Sequence, residues 1–498
     1  MPDDPLPIRR ILGGGPFAEV GKPNAVVRDD VRGLVAVGGG VGRLDWAGRS
    51  FDRWRGYRVG VYGLDDLRCR HLIHTHWPVL DLALHPHLPL LAIGTGAYDG
   101  GYLYEGELLI ADLESGAAIP VLESHREVRR VRWREDGRAL ELVVAPPDDR
   151  ADARPQTHGF APVIERDDWR RIAPRSVSYK ELRGPRVKAA RRPEGAKQAA
   201  RETLSALADA HGAAWSPRRQ VRAVEALDDG RVLATLEGTK LESRLPSGEL
   251  AWSVPDVDGG REIHVSPDQT SAWVNLPRVG WEKVPSTIER ILLADGSTLD
   301  GPQSVGRHEP ADVHFAVRRS PELLFLQDGW VATVDPAKRE GDESAVLRLF
   351  PLDQDGPAVR VAGSDGTGDA LVHAGEAHDA SGPTPAPAFV ARRRFPDGLL
   401  QWVFPADAPV TALDSDGGTV FAALLSGEVV ALDAADGALR WRTRLMVDGV
   451  PTVALSLTAP APGLLLLGTV DGRILLCEPS MPLAWRLAAT DVAPPGDP

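Results

Sequence analysis

The sequence predicts an all-β fold, and three observations carry that expectation: a hairpin signature that recurs along the chain, a turn-rich composition, and a second strand pair after most hairpins. The 498 residues include 51 Gly and 42 Pro in a chain that is 43% hydrophobic, which implies many turns joining short elements around a sizeable core. The hairpin signature is an apolar alternating run, a Ser-Pro, His-Pro or Asp-Gly turn, and a second apolar run. It reads LDLALHPHLPLLAIG at 80–94, VRRVRWREDGRALELVV at 128–144, IHVSPDQTSAWVNL at 263–276, VHFAVRRSPELLFL at 313–326 and VTALDSDGGTVFAAL at 410–424. Pro and Asp-Gly pin each reversal while the flanks alternate with a period of two. A recurrence of roughly 40 to 50 residues is the spacing of four-stranded propeller blades. The expected architecture is one closed β-propeller.

Taken in order, the candidate blades cover approximately 24–73, 78–122, 127–182, 213–254, 261–305, 313–362, 408–445 and 450–487. The third and sixth are irregular, so the expectation is seven or eight blades within residues 24–487. Ring closure would remove the long sheet edges that an open array presents. The N-terminal segment 1–23 is the natural closing element, pairing with the last repeat.

The second strand pair is an apolar strand, an Asp-x-x-x-Gly turn or a relative of it, and a short further strand: LLIADLESGAAIPVL at 108–122, TKLESRLPSGELAWSV at 239–254 and GEVVALDAADGALRWRTRL at 427–445. The last places Ala431, Asp433, Gly437 and Trp441 in the order A-x-D-x-x-x-G-x-x-x-W. Here the chain resembles the WD40-like and quinoprotein-like (PQQ-like repeat) β-propeller families, whose outer strands carry such a motif with the Trp packed between blades. Ala438 and Leu439 replace the Lys and Glu of its fullest form, and Trp252 and Trp485 sit in partial copies. The resemblance implies the fold. It also offers a quinone-dependent dehydrogenase as an alternative function, but those enzymes are typically exported and often carry adjacent cysteines. The two cysteines here, Cys69 and Cys477, are far apart.

Two insertions interrupt the repeat. The first, 147–212, holds a basic stretch with twelve Arg or Lys against four Asp or Glu over 166–201, then an Ala-rich helix expected between Pro193 and Gly212, with Leu204, Leu207 and His211 on one face. The second, GSDGTGDALVHAGEAHDASGPTPAPA at 363–388, reads as a mobile loop, and the tail 488–498 as disordered.

The chemistry-bearing motifs are weak. His74, His76, His85 and His87 are close enough in sequence to suggest metal ligands, but His85-Pro86 fills the turn position that Ser266-Pro267 and Ser320-Pro321 fill elsewhere. The VGGGVG run at 37–42 lacks the Lys-Ser or Lys-Thr of a phosphate loop, and no G-x-S-x-G elbow occurs. Acid pairs such as Asp167-Asp168 and Asp228-Asp229 suit solvated turns. No catalytic, cofactor or metal residue is nominated.

Net charge is −13, which argues against a surface that binds nucleic acid throughout. The expected function is a non-catalytic scaffold or sensor that binds protein partners, in a multi-protein signalling or defence system. Fifty Arg against seven Lys suggest a GC-rich bacterial origin. The cysteine count and the absence of a long apolar run suggest the cytoplasm and no membrane contact. The alternative is polyanion or nucleic-acid contact through Arg183, Arg186, Lys188, Arg191 and Arg192, which this reading takes as solvated.

Overall fold

The computed structural model describes residues 6–42, 45–46, 49–50, 56–100, 102–123, 126–148, 150, 152–191, 195–276, 287–304, 313–314, 323–327, 330–334, 346–351, 358–364, 370–376 and 388–479. It is mostly β, with 54% of residues in strands and 6% helical. Hydrophobic alternation produces this by putting alternate side chains on opposite faces of each short strand, so each sheet has two faces to bury. The strands group into two compact units, residues 15–44 with 50–219, and residues 1–14 and 45–49 with 220–498.

Among the described residues, the first unit holds three antiparallel sheets of four or more strands. Sheet A is Lys22–Asp29, Leu34–Gly40, Tyr57–Gly63 and Cys69–Thr75, and sheet B is Val79–Leu84, Leu90–Thr95, Glu107–Asp112 and Ala118–Glu123. Sheet C runs Val128–Trp133, Ala139–Val144, His158–Phe160 and Arg186–Lys188, with Val163–Glu165 also paired to Ala139–Val144. Val59, Val61 and Ile73 pack sheet A against Val79, Leu91 and Ile93 of sheet B. Leu108, Ile110 and Val121 pack sheet B against Val131, Leu140 and Leu142 of sheet C. The face of sheet A turned away from sheet B is covered by helix α1, Ala196–Ala210, whose Leu204 and Leu207 pack with Val35, Val37 and Tyr62. The helix supplies the apolar cover that another sheet would otherwise provide.

The second unit holds six sheets of four strands among the described residues. Sheet D is Val221–Ala226, Val232–Leu236, Thr239–Arg244 and Leu250–Pro255, and sheet E is Glu262–Val265, Ser271–Leu276, Thr287–Leu292 and Thr298–Ser304. Sheet F is Val313–His314, Leu323–Gln327, Trp330–Val334 and Val346–Pro351, and sheet G is Ala358–Ser364, Ala370–Glu376, Ala388–Arg394 and Leu400–Ala406. Sheet H is Val410–Ser415, Thr419–Leu424, Glu428–Asp433 and Leu439–Arg444. Sheet I takes Ala454–Ala461, Leu464–Thr469 and Ile474–Cys477, and its fourth strand is Ile8–Leu12, antiparallel to Ile474–Cys477. Sheet D packs directly on sheet I: Ser456 Oγ donates to the Val221 carbonyl at 3.0 Å and Thr458 Oγ1 to that of Val224 at 2.6 Å. Val221, Val224 and Ala234 share a core there with Leu466 and Ile474.

Three pairs of consecutive sheets in this unit, D with E, F with G and G with H, interlock through one device. The fourth strand of one sheet lays an aromatic ring over the glycine in the last turn of the next: Trp252 over Gly296, Phe350 over Gly398 and Trp402 over Gly437. Gly437 has φ +74°, and a Cβ there would stand 2.8 Å from Trp402 Cδ2, so neither the backbone nor the space admits a side chain. Asp433 shapes the same turn, accepting from the Ala435 amide at 2.8 Å and from Arg440 Nη2 at 2.8 Å. Trp402 Nε1 donates to the Ala434 carbonyl at 2.9 Å.

Several expectations change. The strands form two compact units with nine sheets of four or more strands among the described residues, where one propeller of seven or eight blades was expected. The uncounted sheet is G, because part of 363–388, read as a loop, is the strand Ala370–Glu376. Its Ala- and Gly-rich sequence lacks a strong alternating signal. Residues 365–369 and 377–387 of that stretch, and the tail 488–498, lie outside the described residues. The basic insertion, expected as a basic stretch and a short helix, also supplies three strands of sheet C.

Trp441 is only half-buried, 6.1 Å from Phe421 ring to ring. The sheet beside it is completed by the N-terminal strand Ile8–Leu12, so no final turn offers a glycine for Trp441 to cover, and it rests against a cluster that includes the buried Leu6. Trp402→Ala is therefore expected to cost about 3 to 5 kcal/mol by lost burial and cavity formation, and Trp441→Ala clearly less. Chemical denaturation followed by Trp fluorescence and circular dichroism checks the order. A second expectation concerns acid. Burial pushes His264 down to about 4 and His373 to about 3, the latter also opposed by Arg393. Unfolded histidine titrates near 6.5, so as pH falls below about 6.5 the unfolded chain takes protons that the folded chain refuses. Stability is full above that pH and is lost progressively toward pH 4, and His373→Gln should flatten the dependence of the melting temperature on pH.

Candidate interaction site

The basic insertion is held to sheet C by a buried carboxylate. The strand Val128–Trp133 is bulged between Val128 and Arg130, and a bulge re-aims the extra residue, here Arg129. Glu127 and Arg129 have no exposed side-chain surface. Arg129 Nε donates to Glu127 Oε2 at 2.9 Å, Nη1 to the His158 carbonyl at 2.7 Å and Nη2 to the Pro155 carbonyl at 2.8 Å. Arg191 Nε donates to the other Glu127 oxygen. The Arg129 guanidinium also stands 5.4 Å from the centre of the Tyr104 ring. One carboxylate and one guanidinium thus tie both arms of the insertion to the sheet, with Gly96 leaving room for the Glu127 stem.

Beside this clamp lies a cleft of about 600 Å³ on the other face of sheet C, lined by Arg130, Arg132, Glu141, Val143, Ala161 and Val163, among others. Alternation separates the faces: Val131, Leu140, Leu142 and Ile164 enter the core, while Arg132, Glu141 and Val163 lie in one cross-strand row on the opposite face. Asp81 borders the cleft and accepts from the Val131 amide at 2.9 Å. Its carboxyl is raised above the usual range by burial, against the opposing effect of that amide and of Arg130.

Of the residues nominated for polyanion contact, Arg183 and Lys188 are exposed. Arg186 is committed to Asp152, with Nε at 2.6 Å and Nη2 at 2.8 Å from its oxygens, and these bonds hold the Asp152 carboxyl well below the usual range. Arg191, expected to be solvated, is partly buried on Glu127. Arg192 lies outside the described residues. Other cations of the stretch are paired as well, Arg166 with Glu181 at 2.8 Å and Arg175 with Glu123. A local charge count overstated the available positive charge because several of the partners, Glu123, Glu127 and Asp152, come from outside the stretch.

The four histidines do not assemble. His76 Nδ1 meets the buried Glu107 at 3.0 Å, His85 Nε2 meets the Gly137 carbonyl at 2.9 Å, and His87 Nε2 meets that of Glu135 at 2.9 Å. His85 Nδ1 accepts from the amides of His87 and Leu88 at 3.0 and 2.9 Å, which makes it the organiser of its turn. Among the described residues no group of three or more His, Cys, Asp or Glu is arranged to hold a metal. Ala431 is buried in the core of sheet H beside the Asp433–Gly437 turn, and Trp485 lies outside the described residues. No helix among the described residues is long and apolar enough to cross a membrane.

No protein-family model and no curated protein matches the chain. Solved structures similar to it include the Neurospora crassa Pan2 WD40 domain, at 10% identity and TM-score 0.36 over 72% of this chain and 90% of that one. Others are a glucose dehydrogenase, at 11% and 0.38 over 53% and 99%, and a chain of a mitotic checkpoint complex, at 9% and 0.33 over 80% and 86%. At these scores the likenesses bear on neither activity nor partner.

Glu127, Arg129, Arg132 and Asp81 were not nominated from sequence; the Glu-x-Arg spacing at the start of a strand is the one local signal, and it does not reveal burial. Removing one partner of a buried ion pair leaves the other uncompensated, so Glu127→Ala is expected to destabilise the protein by about 3 to 5 kcal/mol. Charge reversal at Arg183 should stay within about 0.5 kcal/mol. Thermal melts of the two variants separate clamp from surface.

Proposed function

We propose that the chain is a non-catalytic scaffold that binds protein partners within a multi-protein bacterial assembly, in the cytoplasm. The observation that supports this most is the Glu127 clamp: a wholly buried carboxylate divides its two oxygens between Arg129 and Arg191 and so holds a surface insertion in one conformation. A loop fixed before binding loses less entropy when a partner arrives, and loops on rigid frames are where contacts concentrate. In the same reading the six sheets D to I form a closed propeller, supported by the hydrogen bonds from Ser456 and Thr458 to sheet D and by the N-terminal strand that completes sheet I. Closure of that kind leaves a rigid body whose loops are free to bind.

The test is chemical cross-linking in the native host followed by affinity purification of the tagged chain and mass spectrometry. One or more specific proteins should be recovered in near-stoichiometric amount, with cross-links on unit surfaces. Recovery of none, together with a reproducible turnover activity in the purified chain, contradicts the reading.

A further inference from the structure

We propose that the exposed face of sheet C is a docking cleft for an extended acidic segment of a partner protein, with an aliphatic side chain on the apolar floor and a carboxylate on Arg132. The inference rests on the scaffold reading and names the chemistry of its partner. The cleft of about 600 Å³ falls within the range of built ligand sites, roughly 300 to 1,000 Å³. Its floor is apolar, from Val143, Ala161, Pro162 and Val163, and Val163 is 40% exposed although it lies on a strand.

The charges around this floor are unequally committed. Arg134 is held by Glu141 at 3.0 Å and faces Glu165 at 3.8 Å, so both acids of the face engage this one cation. Arg130 donates to the carbonyls of Arg129 and Ala190, and one oxygen of Asp81 is taken by the Val131 amide. Arg132 is exposed and has no hydrogen bond or ion pair among the described residues. Among the described arginines of the face, Arg132 is thus the one without a partner, and it is a planar fork suited to a carboxylate. The lining contains no aromatic ring on which a base could stack, and acids stand beside it, which favours an acidic peptide over a nucleic acid.

The experiment uses the full-length chain as bait for a random dodecapeptide phage library, followed by fluorescence polarisation of the selected peptides. Expected are peptides pairing Asp or Glu with Leu, Ile or Val, whose affinity drops roughly tenfold or more in Arg132→Glu, weakens with Val163→Asp and with added salt, and is unchanged in Arg183→Glu. Both substitutions in the cleft are at exposed positions, and melts confirm that each variant is folded. The proposal is overturned if no peptide is enriched, if the enriched peptides are basic or neutral, or if Arg183→Glu abolishes binding while Arg132→Glu does not. Tighter Arg132-dependent binding of a single-stranded RNA oligonucleotide also overturns it. Failure here with specific partners still recovered by cross-linking removes the cleft and leaves the scaffold; failure of both removes the scaffold.

Discussion

The structure of the larger unit depends on an aromatic ring in one sheet covering a left-handed turn in the next. Neighbouring sheets touch mostly through aliphatic side chains, and such contacts specify little about register, because apolar surfaces can slide with modest cost. Trp402 over Gly437 is different. The glycine is required twice, by its φ of +74° and by the ring standing where a Cβ would be, and the indole N–H finds the Ala434 carbonyl inside the same turn. Trp252 over Gly296 and Phe350 over Gly398 repeat the arrangement. These contacts join sheet D to E, F to G and G to H; sheet I, whose outer strand is Ile8–Leu12, has no such turn, and a half-buried Trp441 remains beside it.

The smaller unit repeats the arrangement between sheets A and B, where the His71 ring covers Gly116, and adds other means. Its first sheet buries one face under helix α1, and its third sheet gains strands from a basic insertion that a buried Glu127 secures. A charge with no exposed surface would be costly alone, and it is tolerable here because two guanidiniums surround it. The consequence for function is that polar groups buried in this unit hold segments in place, while the groups left for recognition lie on exposed surfaces such as the row of Arg132, Glu141 and Val163.

The hairpins were legible because their turns carry Pro or Asp-Gly and their flanks alternate strongly, as in residues 80–94 and 410–424. The Asp433–Gly437 turn was legible for the same reason. Sheet G was not: ALVHAGE at 370–376 is short and built from small residues, and flanking Gly- and Pro-rich sequence masks it. The candidate site was almost wholly hidden. Whether an Arg is solvated or clamped depends on an acid distant in sequence, as Arg191 depends on Glu127, and no local pattern records that distance. Nor does alternation reveal which face of sheet C is left uncovered, since that depends on what packs beside it.

The claim that ring and turn interlock is tested most directly by a double-mutant cycle between Trp402→Ala and Gly437→Ala, read by chemical denaturation. In the wild-type background Gly437→Ala combines left-handed backbone strain with a collision against the indole; once Trp402 is gone, only the strain remains. The account predicts a coupling energy on the order of 1 kcal/mol or more, with the glycine substitution milder in the Trp402→Ala background. Costs that simply add, within about 0.3 to 0.5 kcal/mol, would show that the two residues do not hold these sheets together.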